Sequence, residues 1–365
     1  MLANALLIGY YRFLTQIQVF FMTALICGIS STQLTRDEIE TLSHPLVCGV
    51  ILFKRNFKDY RQLVLLVKEI KSRFGEDFLI TVDQEGGRVR RFDLPFTRLP
   101  ALAEISQAEK CQTDLGKAMA HTHAWLMACE LLSINIDMSF APVLDIDNGS
   151  NVIGDRAFAD NPQDVINFAT TYCQSMHDAG MKTTAKHFPG HGTVVADSHT
   201  ELPIDNRSFD NIEKLDLAPF IHLIKNKLID AVMMSHVIYP QACEHAAGYS
   251  KFWCQDILRK KYGFAGVIIS DDLGMKAADC VGDVHARYQA CTTSGCDIAL
   301  ACTIELCQEL LAKLPKNTAI RRFPQLKGQS TLGKTKPFWQ NNTWQAIRKS
   351  MVIIQAQLYR DNNNE

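Results

Sequence analysis

What most constrains this chain is a recurrence: a short apolar run followed by an amphipathic stretch, repeated along most of its length. The runs are residues 24–30, 49–53, 78–83, 134–143, 181–186, 231–237, 266–271 and 296–302, eight in all. Continuous hydrophobic runs, not alternating ones, are the pattern of parallel strands covered on both faces. Helical periodicity fills the gaps. Residues 57–74 place Leu63, Leu66, Val67 and Ile70 on one face, and residues 212–228 read as a second helix. Eight such units predict the α/β class, as a single (β/α)8 TIM barrel and not an open doubly wound sheet.

In such a barrel the chemistry sits where the strands end. Five of the runs finish in polar clusters: Asp83-Gln84-Glu85-Gly86-Gly87-Arg88, residues 145–156, Lys186-His187, Ser235-His236 and Ser270-Asp271-Asp272. The densest is Lys186-His187-Phe188-Pro189-Gly190-His191-Gly192, with Asp197-Ser198-His199 soon after. Pro189 and Gly190 forbid a helix here, so Lys186 and His187 are expected at a strand end and residues 192–199 in the loop that follows.

Each candidate also has a plainer reading. Adjacent strand residues face opposite sides, so one of Asp271 and Asp272 is expected to reach a pocket, while either could cap the next helix. Asp271 is the candidate nucleophile. Asp197 and His199 suit a carboxylate-tuned imidazole that exchanges protons, and Asx-turn chemistry would also explain Asp197. His187, His191, Asp197 and His199 could instead ligate a metal, but HxxxH needs a helical face that Pro189-Gly190 removes, so no metal is expected. Arg88, Arg90, Arg91 and Arg156 gather with Asp83 as forks for a polyhydroxylated ligand, or as ion pairs with Asp83, Glu85 or Asp155. His121 and His123 read as surface or satisfied core histidines.

With 38 basic and 39 acidic residues and a net charge of -1, the chain has no footprint for nucleic acid or an anionic membrane. A small, mostly neutral ligand fits better. Twelve cysteines lack any CxxC pair and sit mostly in apolar runs, which suits reduced core thiols in a cytoplasmic protein. Residues 1–21 carry only Arg12 as a charge, and Thr15, Gln16 and Gln18 interrupt the apolar run, so they read as an upstream extension of doubtful function. The expected organisation is a catalytic barrel over 22–315, then a surface loop and a C-terminal helix over 316–365. That helix is predicted from Trp344, Ile347, Met351, Ile354 and Leu358.

Together, DQEGGRVRRF at 83–92, GDRAF at 154–158, KHFPGHG at 186–192, DSH at 197–199 and SDDLGM at 270–275 resemble glycoside hydrolase family 3. Within it they look like the bacterial β-N-acetylhexosaminidases of the NagZ type. The resemblance covers about three quarters of the chain, with the motifs in order. It implies a cytoplasmic, cofactor-free, monomeric enzyme that removes terminal β-linked N-acetylglucosamine from muropeptide fragments in peptidoglycan recycling. It further implies Asp271 as nucleophile and His199 as acid/base oriented by Asp197, with Asp83, Arg91, Arg156, Lys186 and His187 as sugar contacts.

Two rivals remain. A β-glucosidase of the same broad family would usually draw its acid/base from a further domain, and the DSH loop argues against it. A non-catalytic sugar-binding barrel would keep Asp83, Arg156 and Lys186 while losing Asp271 or His199, and both are present.

Overall fold

The structure, a computed structural model, describes residues 22–194, 203–333 and 336–361. Strands β1 (Ala24–Gly28), β2 (Val47–Leu52), β3 (Leu79–Val82), β4 (Met138–Ser139), β5 (Thr184–Phe188) and β6 (Ala231–Met234) follow the expected runs. A small hairpin, β7 (Ile238–Tyr239) with β8 (Cys243–Ala246), precedes β9 (Val267–Asp272) and β10 (Ile298–Ala301). The other eight strands form one sheet in the order β4-β3-β2-β1-β10-β9-β6-β5. Its pairings are all parallel.

The sheet closes between its outer members. Thr184 N donates to Ala141 O at 2.8 Å and Leu144 N to Lys186 O at 2.7 Å, so β5 runs beside the continuation of β4. The fourth run, 134–143, in which Asn135, Asp137 and Ser139 alternate with apolar residues, yields only a two-residue strand. Asn135 is left-handed at φ 66° where the chain leaves the preceding helix, and Pro142 has no N–H to give the ladder. The fold is an α/β TIM barrel with a C-terminal helix, as the sequence predicts.

Continuous hydrophobicity follows from burial on both faces. Ile26, Ile51, Met138, Met233 and Ile269 point into the barrel, while Leu25, Val50, Ile80 and Ile268 belong to the outer core, which also takes in Leu63, Leu66, Val67 and Ile70 of helix Tyr60–Phe74. Each large aliphatic buried in this way stabilises the fold by roughly 1.5–3 kcal/mol. Asp59 caps that helix by accepting from Gln62 N at 2.9 Å. No helix among the described residues is long and apolar enough to cross a membrane.

Two expectations need correction. The helix predicted over 212–228 is two helices, Phe209–Lys214 and Leu217–Lys225. Pro219 explains the break, because proline is tolerated in a first turn and not in a helix interior. The stretch after residue 316, which carries no strong periodicity, is irregular but not merely superficial: Phe323 and Leu326 pack inside the barrel. Arg321 Nη1 donates to Met22 O, and Arg322 Nη1 to Val47 O, both at 3.0 Å, which places the segment at the strand starts. The final helix, Asn342–Asp361, buries Met351, Ile354 and Leu358 as the spacing predicts.

Candidate active site

At the opposite end, where the strands finish, lies a cavity of about 440 Å³. Ile51, Met233 and Leu300 line it together with a ring of charged side chains. Those charges come from different strand ends, and two local irregularities decide how many of them face inward.

The first is at β5. Lys186 pairs with Met233 while Phe188 pairs with Met234, so β5 carries one residue more than β6 across this step. A bulge of this kind re-aims side chains. Lys186 and His187, though adjacent, both line the cavity. Lys186 is 2% exposed. Its Nζ contacts Asp83 Oδ1 at 2.8 Å and Glu85 Oε1 at 2.5 Å. Burial pulls the Lys186 ammonium down, but Asp83 and Glu85 hold it above the ordinary range. Arg156 grips Glu85 with both ends of its fork, Nε to Oε2 and Nη2 to Oε1, each at 2.8 Å. Burial would raise the Glu85 carboxyl, yet Arg156 and Lys186 hold it far below the usual range. Arg91 stands 3.6 Å from Asp83, its guanidinium 5.6 Å from the Phe53 ring centre.

The second irregularity is at β9. Ile269 pairs with Ile298 and Asp272 with Leu300, again one residue in excess. Strict alternation therefore fails, and Asp271 and Asp272 both line the cavity, contrary to the expectation that only one would. Their surroundings differ. Asp272 Oδ1 accepts from Gly274 N and Cys302 N, both at 3.0 Å, which is the backbone-anchoring job considered for either residue. Burial raises its carboxyl, those amides offsetting only part. Asp271 accepts from the Asp272 amide at 2.8 Å. Burial would raise it too, but His187, His236, that amide and Lys186 hold it below the ordinary range. An ionised carboxylate with few protein partners, facing a cavity, is a candidate nucleophile.

Behind His187 stands Asp145, 1% exposed. Its carboxylate receives His187 Nδ1 and His191 N, each at 2.7 Å, and His187 N at 3.2 Å. The loop after β5 leaves close to the loop after β4, because a Cβ on Gly192 would come within 1.6 Å of Ile146 O.

Of the residues proposed from sequence, Asp83, Arg91, Arg156, Lys186, His187 and Asp271 all line this one cavity. Asp197 and His199 lie outside the described residues, as do residues 1–21. Ion pairing and pocket lining coincide for Arg88, which meets Asp155 at 2.7 Å, and for Arg156. Arg90 turns instead to Asp93 at 3.3 Å. His123 is a satisfied core histidine, contacting Pro100 O at 3.1 Å and Tyr172 at 3.2 Å. Sequence reasoning left Glu85 only as an ion-pair partner and gave Asp145 no role. Glu85 could have been found from its spacing, two residues beyond Asp83 on an extended strand end.

Comparison with known proteins bears on this arrangement. Residues 14–322 match the glycosyl hydrolase family 3 N-terminal domain. A protein from Tolumonas auensis named beta-hexosaminidase is 50% identical over 281 residues, covering 77% of this chain and 83% of that one. Another of that name, from Psychromonas ingrahamii, is 47% identical over 339 residues, covering 92% and 98%. Native NagZ from Neisseria gonorrhoeae superposes with a TM-score of 0.83 at 38% identity, over 91% of this chain and 98% of the other. The same protein in complex with N-trifluoroacetyl-D-glucosamine gives 0.82 at 38% identity with the same coverage.

Proposed function

This chain belongs to glycosyl hydrolase family 3, and on that premise we propose that it is a retaining β-N-acetylhexosaminidase, with Asp271 as nucleophile. The observation that carries the reading is the Asp271 carboxylate, held ionised at a strand end in a cavity walled by Asp83, Arg91, Arg156, Lys186 and His187. The choice of an N-acetylated sugar is supported by relatives named beta-hexosaminidase and by the ligand in the Neisseria complex.

In the first step an Asp271 oxygen attacks the anomeric carbon, and the bond to the leaving oxygen breaks as His199 gives that oxygen its proton. In the second, His199 takes a proton from water, whose oxygen displaces Asp271 and restores the starting configuration. Asp197 orients the imidazole. The charged walls bind the sugar hydroxyls, each of which needs a partner once water is excluded. The proposal extends to muropeptide fragments as substrates, in peptidoglycan recycling by a cytoplasmic monomer. That part rests on the motif resemblance.

Chromogenic β-N-acetylglucosaminide and β-glucoside, compared at equal concentration, provide the test. Turnover of the first alone is expected, and its first product should be the β-anomer by NMR. A preferred glucoside, or an α-configured first product, would refute the reading.

A further inference from the structure

Asp145 is a buried carboxylate that does not line the cavity, yet among the described residues its hydrogen bonds lead to two that do. His187 supplies Nδ1 at 2.7 Å and its amide at 3.2 Å, and His191 supplies its amide at 2.7 Å. Burial pushes the Asp145 carboxyl up, but His187 and the His191 amide outweigh it and keep the group ionised. A carboxylate has no proton to give, so in the contact between Asp145 Oδ2 and His187 Nδ1 the proton sits on nitrogen. That leaves Nε2, which has no hydrogen-bond partner among the described residues, on a side chain that lines the cavity.

We infer that Asp145 is a positioning residue: by accepting from Nδ1–H it allows the neutral His187 ring only the Nδ1–H tautomer, whose Nε2 then faces the bound ligand as a hydrogen-bond acceptor. The inference rests on the glycosidase reading and sharpens it. A sugar group that meets the neutral ring must be a donor, a hydroxyl or an amide N–H, and an acceptor-only replacement at that position, such as fluorine or methoxy, leaves Nε2 unpaired. Buried polar sites discriminate strongly in this way, because the wrong ligand leaves their groups unpaired. The two amide bonds tie the same carboxylate to the start of the following loop, so ring and backbone are set by one group.

The first test needs neither substrate nor variant of Asp145. In substrate-free protein carrying 15N-labelled histidine, in mildly alkaline buffer, two-bond 1H–15N correlations report which nitrogen of His187 is protonated, with assignment by His187→Gln. Protonated Nδ1 and bare Nε2 are expected, and a proton on Nε2 overturns the inference. The second test is a cycle on whichever glycoside the wild type turns over. Asp145→Asn should lower kcat/KM on the order of 10- to 100-fold in the wild type, as loss of a group orienting a histidine does. In the His187→Gln background its further effect should be about two-fold or less, since the pair acts as one. Equal losses in both backgrounds would make Asp145 structural only. A preference for glucosides would defeat the hexosaminidase reading and leave both readouts of Asp145 intact.

Discussion

At the base of the barrel Phe323 and Leu326 fill the space between the strand starts, and Arg321 and Arg322 donate to the carbonyls of Met22 and Val47. At the mouth, the matching space is left as a cavity and walled by Lys186, Glu85, Arg156 and Asp83. Both ends are built from the same β/α units. Apolar filling is the arrangement that stabilises, since exchanging a buried ionic network for well-packed hydrophobic residues is often neutral or favourable. Buried charge also occurs beside the strand starts, where Lys71 pairs with Asp137 at 2.7 Å, but there it closes an ion pair within the packing. At the mouth the charges wall an open cavity beside bulges in β5 and β9, which marks where stability yields to chemistry.

If that contrast is right, mutations at the mouth change rate and mutations at the base change stability. The largest effect belongs to Asp271→Ala, expected to lower turnover by ~10,000-fold or more while melting temperature and sugar binding hold. Near-normal activity, with Asp272→Ala inactive, would mean that the wrong carboxylate has been assigned. His199→Ala should cost about 100- to 10,000-fold for a poor leaving group such as a sugar alcohol, and far less for an activated nitrophenolate. Asp197→Ala should show the same pattern more weakly. Equal penalties across a leaving-group series would make His199 a contact residue only.

At the base, Leu326→Ala should lower unfolding free energy by roughly 2–5 kcal/mol, measured by urea denaturation, with kcat per folded molecule unchanged. A fall in kcat without loss of stability would erase the distinction between the two ends.

The smallest effect comes from a carboxyl at neither end. Glu130 is buried and accepts from Thr97 N at 2.8 Å, Thr97 Oγ1 at 2.5 Å and Trp344 Nε1 at 2.9 Å. Burial pushes it up to about 7 from an ordinary 4.5, against those hydrogen bonds. A carboxyl raised in the folded state stabilises fully below the unfolded value, and that contribution is lost as pH rises through the folded value. Stability should decline between pH 4.5 and 7 on this account, and Glu130→Gln should flatten the decline. An unchanged pH profile in the variant would show that Glu130 titrates normally.

The barrel was legible because burial on both strand faces writes itself as uninterrupted apolar runs, and the lining residues because polar groups stand at the ends of those runs. Geometry of a single residue was not legible. A bulge leaves no mark in composition, so nothing in Ser270-Asp271-Asp272 says that both carboxylates face one cavity. Asp145 escaped for a similar reason. It meets His187 42 positions away, a contact made only when the sheet closes between β4 and β5. Phe323 and Leu326 sit in a polar, basic stretch whose periodicity gives no sign of the barrel floor they complete.

The central claim is a covalent intermediate on Asp271, and trapping it is the most direct test. A 5-fluoro N-acetylglucosaminyl fluoride slows both displacements and lets the glycosyl-enzyme accumulate. After proteolysis, mass spectrometry should find the fluorosugar on the peptide containing Asp271, with fragmentation placing it at Asp271 and not Asp272. A label on Asp272 or elsewhere, or steady turnover with no labelled peptide, would contradict the account.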